Sequence, residues 1–101
     1  MRRIIDGKLY NTETATLIGS DGFSYPGDFH YWEETLYQKK NGQFFLVGEG
    51  GPLTRYREQT ETNAWTDGKI LNPLSLAEAQ EWAEQHISVN KYIEVFGEVE
   101  E

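Results

Sequence analysis

The chain has 101 residues, 38% of them hydrophobic and 14% aromatic, so it can form one hydrophobic core but is too short for two. It contains no cysteine, which excludes disulfide frameworks, thiolate zinc sites and thiol nucleophiles. Its 17 acidic and 9 basic residues give a formal net charge of −8, which disfavours direct binding to DNA and to anionic membranes.

These bounds predict a single domain over residues 1–101, with an acidic tail at 98–101. The amino-terminal residues reach Asp6 without an apolar run of secretory or membrane-spanning length. Together with the lack of cysteine, this pattern predicts a cytoplasmic protein.

Turn-forming residues divide the first third of the chain into short segments. Asp6-Gly7 stands between two apolar runs and predicts a tight hairpin. The threonine-rich segment 11–18 predicts a strand, because branched side chains fit a pleated surface. Glycines and Pro26 within residues 19–27 predict a surface loop.

The strongest hairpin signal is Asn41-Gly42, which lies between two apolar runs. A two-residue turn there would place apolar side chains on both faces of a central strand pair. The facing pairs would be Tyr37 with Leu46, Leu36 with Val47 and Lys39 with Phe44. The glycines of segment 48–52 should end the second strand, residues 54–57 should add another, and residues 58–68 should form a long loop held by Trp65.

Two helices are predicted near the carboxyl end. Ser75 and Glu78 form a capping box that opens a helix reaching about His86. Ser88 caps a second helix, which Gly97 ends. The predicted buried stripes are Leu76, Ala79, Trp82 and Ala83 in the first helix, and Val89, Tyr92, Ile93 and Phe96 in the second.

The predicted fold class is therefore α+β. We expect a small antiparallel sheet of about four strands, with the Asn-Gly hairpin at its centre, packed against two C-terminal helices.

No residue pattern predicts catalysis or metal binding. His30 and His86 are far apart in sequence and lack helical two-histidine spacing, so each is interpreted as structural. The glycines at 48–51 are not followed by the Lys-Ser/Thr of a phosphate loop. Glu33 and Glu34 should point to opposite faces of a strand, which disfavours a catalytic carboxylate pair. We therefore expect a binding protein, not an enzyme, with no cofactor and no metal.

Acidic residues are concentrated in the carboxyl-terminal quarter, where Glu78, Glu81 and Glu84 recur every three residues. With Glu98, Glu100 and Glu101 they could form a ridge that imitates the phosphate spacing of a nucleic acid. The alternative is an ordinary solvated helix face.

Two further groups could contact a partner. Phe29, Tyr31 and Trp32 form the densest aromatic cluster, which could be either an exposed anchor or part of the core. A basic group could hold a nucleic-acid backbone if one face displayed all of it, or be a solvated strand surface; its members are Lys39, Lys40, Arg55, Tyr56 and Arg57.

The chain resembles small proteins of Firmicutes phages and integrative elements, some of which are anti-CRISPR inhibitors. The resemblance covers most of the chain, with the hairpin and the capped helix as its most specific parts. It rests on the runs at 4–15, 34–37, 42–46, 48–51 and 73–75, with Glu78-Ala79 and Trp82-Ala83-Glu84. The loop at 19–29 lies outside it.

The resemblance implies a protein of the host bacterial cytoplasm that binds a CRISPR effector nuclease or its guide-RNA complex. It implies stoichiometric inhibition that blocks DNA binding, cleavage or assembly of the effector, with a type II enzyme as one candidate. It carries over no catalytic residue. An acidic composition is compatible with this, because effector channels for nucleic acid are positively charged. The alternatives are an RNA-binding regulator and an antitoxin-like protein that neutralises another basic partner.

Overall fold

The computed structural model, which describes all 101 residues, is built around a four-stranded antiparallel sheet followed by two helices. The strands are β1 (Arg2–Ile5), β2 (Lys8–Asn11), β3 (Thr16–Phe23), β4 (Trp32–Gln38), β5 (Phe44–Gly50), β6 (Glu58–Glu61), β7 (Ala64–Thr66) and β8 (Gly68–Leu74), and the helices are α1 (Leu76–His86) and α2 (Val89–Phe96). The main sheet has the order β3-β4-β5-β8, and β1-β2 and β6-β7 form separate hairpins. The helices contact the main sheet, which confirms the predicted α+β class. None of the helices is long and apolar enough to cross a membrane.

The amino-terminal hairpin is confirmed, with Asp6 and Gly7 both at positive φ in its turn. The strand predicted over residues 11–18 is wrong in part, because the chain turns at residues 12–14 and β3 begins at Thr16. The side chain of Asn11 causes this break by accepting a hydrogen bond from the backbone N–H of Glu13 at 3.0 Å.

The loop predicted at 19–27 is also wrong in part, since β3 continues to Phe23. Gly27 lies in a turn at a φ of 103°, but Gly19 and Gly22 permit close contact within and beside the strand. A Cβ atom on Gly19 would lie 2.7 Å from Ile87 Cγ2, and one on Gly22 would lie 2.9 Å from the backbone oxygen of Trp32.

The central hairpin forms, but its predicted register is wrong by one residue. Leu36 pairs with Leu46 and Tyr37 with Phe45, whereas Leu36 was expected opposite Val47. The Lys39 N–H does not face Phe44 but donates to Gln43 O at 2.8 Å, and Gly42 adopts a φ of 96°. A three-residue loop ending in a left-handed glycine is the next commonest hairpin connection after the two-residue turn assumed from the sequence.

The segment after β5 differs most from the prediction. The second strand ends within segment 48–52, as predicted, although β5 continues through Gly50. Residues 54–57 form turns and no strand, and the expected loop at 58–68 contains the β6–β7 hairpin, whose turn holds Asn63 at positive φ. Strand β8 was not predicted. It contains Pro73, which is tolerated because β8 lies at an edge of the sheet.

Apolar side chains cover both faces of the β4–β5 pair, as predicted. On one face Leu36, Phe44 and Leu46 pack against the helices. On the other, Phe45 and Val47 pack against Tyr10 of the amino-terminal hairpin. Burial of a side chain as large as Phe45, which is 0% exposed, contributes about 1.5–3 kcal/mol to the free energy of unfolding.

The capping box of α1 and the Ser88 cap of α2 are both present. The stripe predicted for α1 is wrong at Leu76, which is 57% exposed. The stripe predicted for α2 is wrong at Val89, which is 75% exposed, and at Ile93, which is not packed against the core; no residue of α2 is fully buried, and Tyr92 and Phe96 are partly buried against the core. Leu76 and Val89 lie in the first turn of their helix, beyond the edge of the sheet-facing stripe. In α2, Val95 packs against the core instead.

Candidate functional site

A buried carboxylate, that of Glu34 on β4, joins the sheet to α1 and to the turn at residues 51–57. Glu34 is 4% exposed and lies on the same face of β4 as Leu36. Trp82 Nε1 of α1 donates a hydrogen bond to Glu34 Oε1 at 2.8 Å. The hydroxyl of Tyr56 and Nη2 of Arg55 both donate to Glu34 Oε2. Three donors therefore satisfy a charge that would otherwise be costly to bury.

Close packing on β5 holds Tyr56 in this network. A Cβ atom on Gly48 would lie 2.3 Å from Tyr56 Cζ, so the tyrosine ring occupies the space that a side chain would fill. Arg55 then stacks over the same ring, with its Cζ 5.0 Å from the centroid, and also donates to the tyrosine hydroxyl at 2.8 Å. The turn at residues 51–57 is thereby fixed against the sheet.

His86, at the end of α1, lies beside the Glu34 network. Its Nδ1–H donates to Asp21 Oδ2 at 2.8 Å, and its Nε2 is 4.0 Å from Glu34 Oε1. The imidazole stacks on Trp82 at 4.6 Å and meets Trp32 edge-on at 6.1 Å. The hydrogen bond from His86, followed by that from the Gly22 N–H, lowers the pKa of Asp21 below its ordinary value.

Glu34, Tyr56 and His86 border an open cleft of about 640 Å³, a volume within the range of small-molecule sites. We call it the Glu34 cleft. Its walls come from β3, β4, the two loops at 24–31 and 51–57, and the end of α1. The other lining residues are Phe23, His30, Trp32, Leu53, Thr54 and Arg55.

A second concave surface lies between the end of α1, helix α2 and the acidic tail. We call this surface, of about 610 Å³, the acidic groove. Its apolar floor includes Val89 and Val99, which are 75% and 57% exposed. Four of its eleven lining residues are glutamates and none is basic; the glutamates are Glu84, Glu98, Glu100 and Glu101.

The glutamates predicted to form a ridge are all exposed, with Glu78, Glu81 and Glu84 on α1 and the others in the acidic tail. Of the three on α1, only Glu84 lines the acidic groove. Glu81 and Glu84 are one turn apart, which places their Cβ atoms about 5–6 Å from each other. Glu78 has a structural role as well, because its carboxylate accepts from the Ser75 N–H at 2.9 Å, and this bond lowers the pKa of Glu78. The ridge is thus continuous with the rim of the groove.

The aromatic residues 29, 31 and 32 do not form one surface. Phe29 is 63% exposed, whereas Tyr31 is 9% exposed and Trp32 lines the Glu34 cleft. The Tyr31 hydroxyl lies within hydrogen-bond distance of the Glu33 and Glu49 carboxylates. Burial, together with Glu49, raises the pKa of Tyr31 well above its ordinary range.

The basic residues are also dispersed. Lys39 Nζ lies 4.3 Å from the centroid of the Tyr10 ring, and exposed Lys40 follows it at the hairpin tip. Arg55 contacts Glu34. Glu34 precedes Lys39 by five residues, a separation of about 17 Å along an extended strand. Arg57 Cζ lies 3.9 Å from the centroid of Trp65. One face does not display all four cations.

The central residues of the Glu34 cleft were not selected from the sequence. Glu34 was set aside because its neighbour Glu33 points the other way, and His86 was interpreted as a helix-end residue. One signal was available: Trp32, Glu34 and Leu36 alternate along a strand, so a carboxylate stands at an inward position, where it requires a partner.

Comparisons of the chain with protein-family models, with curated protein sequences and with solved structures found no match. The proposals below therefore depend on the residues and geometry described above and on the resemblance given under Sequence analysis.

Proposed function

We propose that this protein binds a CRISPR effector nuclease stoichiometrically through the acidic groove and the adjoining glutamates of α1. Binding there would block DNA binding, cleavage or assembly. The observation that carries the proposal is the composition of the groove, which combines an exposed apolar floor with a rim of four glutamates. The resemblance to anti-CRISPR proteins supplies the class of partner.

Charge complementarity supports a basic protein as the occupant. From residue 76 to the end, Lys91 is the only basic residue, and its Nζ lies 3.6 Å from Glu94 Oε2 on the same helix. No cation therefore opposes the field of the groove. Effector channels that hold nucleic acid are positively charged, and fields of opposite sign accelerate and orient association.

The apolar floor adds an anchor to this electrostatic attraction. Val89 and Val99 are exposed in the groove, and a purely electrostatic contact would not need their apolar surface. Apolar anchors that lose their water on binding supply most of the binding energy of protein interfaces. We expect the partner to present basic residues around an apolar or aromatic side chain.

The test is co-purification with a type II effector loaded with its guide RNA, followed by a target-cleavage assay. A charge-reversed variant, E81K/E84K/E98K, should bind at least about tenfold more weakly, because it inverts the field of the groove. The matched control, E13K/E58K/E61K, changes the net charge equally at exposed positions outside the helices and should bind like the native chain. Binding should also weaken as salt rises from about 0.15 M to about 0.5 M.

Absence of binding together with intact cleavage would exclude direct inhibition of that effector. Capture of a different basic protein with the same sensitivity to the two variants would favour the antitoxin-like alternative. Equal loss of binding in both variants would show that net charge, and not the groove, is responsible.

A further inference from the structure

The Glu34 cleft is separate from the groove used in the proposed function, and its lining has its own chemistry. Flat rings and hydrogen-bond donors surround a carboxylate that is already satisfied.

Arg55 supplies oriented donors. A guanidinium has five N–H donors, and the hydrogen bonds of Arg55 to Glu34 and Tyr56 use two, both on Nη2. Three donors remain, on a side chain that is 69% exposed. Because the bonds to Glu34 and Tyr56 fix the guanidinium, less entropy is lost when those donors bind an anionic oxygen.

Trp32 and Phe23 supply the rings. They are cross-strand partners on β4 and β3, and both line the cleft. Phe23 is 56% exposed although it lies in a strand. Exposed aromatic faces next to basic side chains are the usual platform on which unstacked bases bind.

His86 adds a polar ring nitrogen next to these donors. Its Nδ1–H is held by Asp21, and its Nε2 has no hydrogen-bond partner. Every buried side-chain polar atom has a partner, so Nε2 is open to solvent. A polar ring nitrogen beside the Arg55 donors can hydrogen-bond the edge of a heterocycle.

The charge balance of the lining favours an anion over a cation. Arg55 compensates Glu34, and the remaining lining residues carry no acid. A cationic ligand would therefore find no free carboxylate, whereas an anion would find three unused donors.

We propose that the Glu34 cleft binds a nucleobase bearing a phosphate, with the phosphate on Arg55 and the base against Trp32 and Phe23. This chemistry is shared by a free mononucleotide and by an unstacked nucleotide of single-stranded RNA. Repulsion by the net charge of −8 grows with the charge of the ligand, so the mononucleotide is the expected ligand.

The experiment is a titration of the ¹⁵N-labelled full chain, followed by NMR. The probes are AMP, GMP, CMP and UMP, a three-nucleotide single-stranded RNA, and inorganic phosphate. We expect saturable amide shifts at residues 23, 30, 32 and 53–56, with at least one mononucleotide binding more tightly than phosphate. Saturable binding of the trinucleotide alone would overturn the assignment to a mononucleotide and would give the same cleft to RNA.

Three variants complete the test. R55Q should weaken binding at least about tenfold, and the matched variant R57Q, outside the cleft, should leave it unchanged. F23A changes an exposed ring without touching the Glu34 network and should weaken nucleotides but not phosphate. Binding that R55Q leaves intact, mononucleotide binding no tighter than phosphate, or no binding of any nucleotide would overturn the proposal. None of these outcomes depends on whether an effector binds the acidic groove.

Discussion

Trp82 Nε1 donates a hydrogen bond to Glu34 Oε1 at 2.8 Å and so links α1 to β4 across 48 residues of sequence. The bond sits beside the hydrophobic cluster that contains Trp82 and Leu36. Helix α1 is therefore fixed to the sheet by apolar packing and by directional polar contacts, since His86 at its end also bonds to Asp21 of β3, and these contacts set the position of His86 above the cleft.

Replacement of Glu34 by alanine should lower the free energy of unfolding by about 2 kcal/mol or more. The change leaves the Trp82 N–H and the Tyr56 hydroxyl without their buried acceptor, and each unsatisfied buried donor costs about 1–3 kcal/mol. Urea denaturation measures the effect. The control is E61A, at an exposed position of β6 without a side-chain hydrogen bond, where a change within about 0.5 kcal/mol is expected. Equal losses in both variants would contradict the role assigned to Glu34.

Acidification should reveal the pair formed by Asp21 and His86. The pKa of Asp21 is lowered in the folded protein, so the pair stabilises the fold above the ordinary carboxyl pKa, about 3.9. That contribution is lost as the pH falls through the lowered value. In H86A, carboxyl ¹³C titration should place the Asp21 pKa nearer its ordinary range. The pKa of Asp28, which is lowered by its bonds with the His30 N–H and Ser24, should not change, and a shift at both residues would point to a global effect.

Gly48 should not tolerate alanine. The added Cβ would lie 2.3 Å from Tyr56 Cζ, and such overpacking costs about 1–3 kcal/mol of unfolding free energy. The test is a double-mutant cycle with Y56A, measured by urea denaturation. Because Y56A empties the space, G48A should cost less in that background than in the native chain. Strict additivity would mean that the two residues do not compete for space.

Removal of the α1 cap by S75A should cost about 1 kcal/mol of unfolding free energy, because the Glu78 N–H loses its acceptor at the helix start. Thermal unfolding followed by circular dichroism gives the measurement. The matched control is S20A, an exposed strand position without a side-chain hydrogen bond, which should unfold like the native chain. An unchanged midpoint in S75A would show that tertiary packing alone defines the helix start.

Local signals in the sequence were sufficient for the elements that depend on local interactions. Asp6-Gly7 and the two serine caps each act within a few residues, so the first hairpin and both helix starts are as predicted. The register at Asn41-Gly42 was missed because the same dipeptide also fits a three-residue loop, and the choice between the loops depends on which apolar side chains must face α1.

The Glu34 cleft depends instead on contacts between distant segments. Tyr56 is buried because Gly48 leaves room for its ring, and no local pattern near residue 56 records that space. Strand β8 was not predicted, and its Pro73 is compatible with a strand because β8 lies at the sheet edge. Both errors concern long-range pairing, which periodicity does not reveal.

The sequence separations within the Glu34 network also bear on the order of folding. Its three hydrogen bonds span 21, 22 and 48 residues, whereas the β4–β5 hairpin closes a loop of a few residues. Loop-closure entropy favours the short connection first, so we expect the cleft to assemble late. E34A should then mainly accelerate unfolding, while changes in the hairpin should slow refolding. A compound bound in the cleft would hold together segments that separate from one another early in unfolding. It would therefore prolong the lifetime of the folded state.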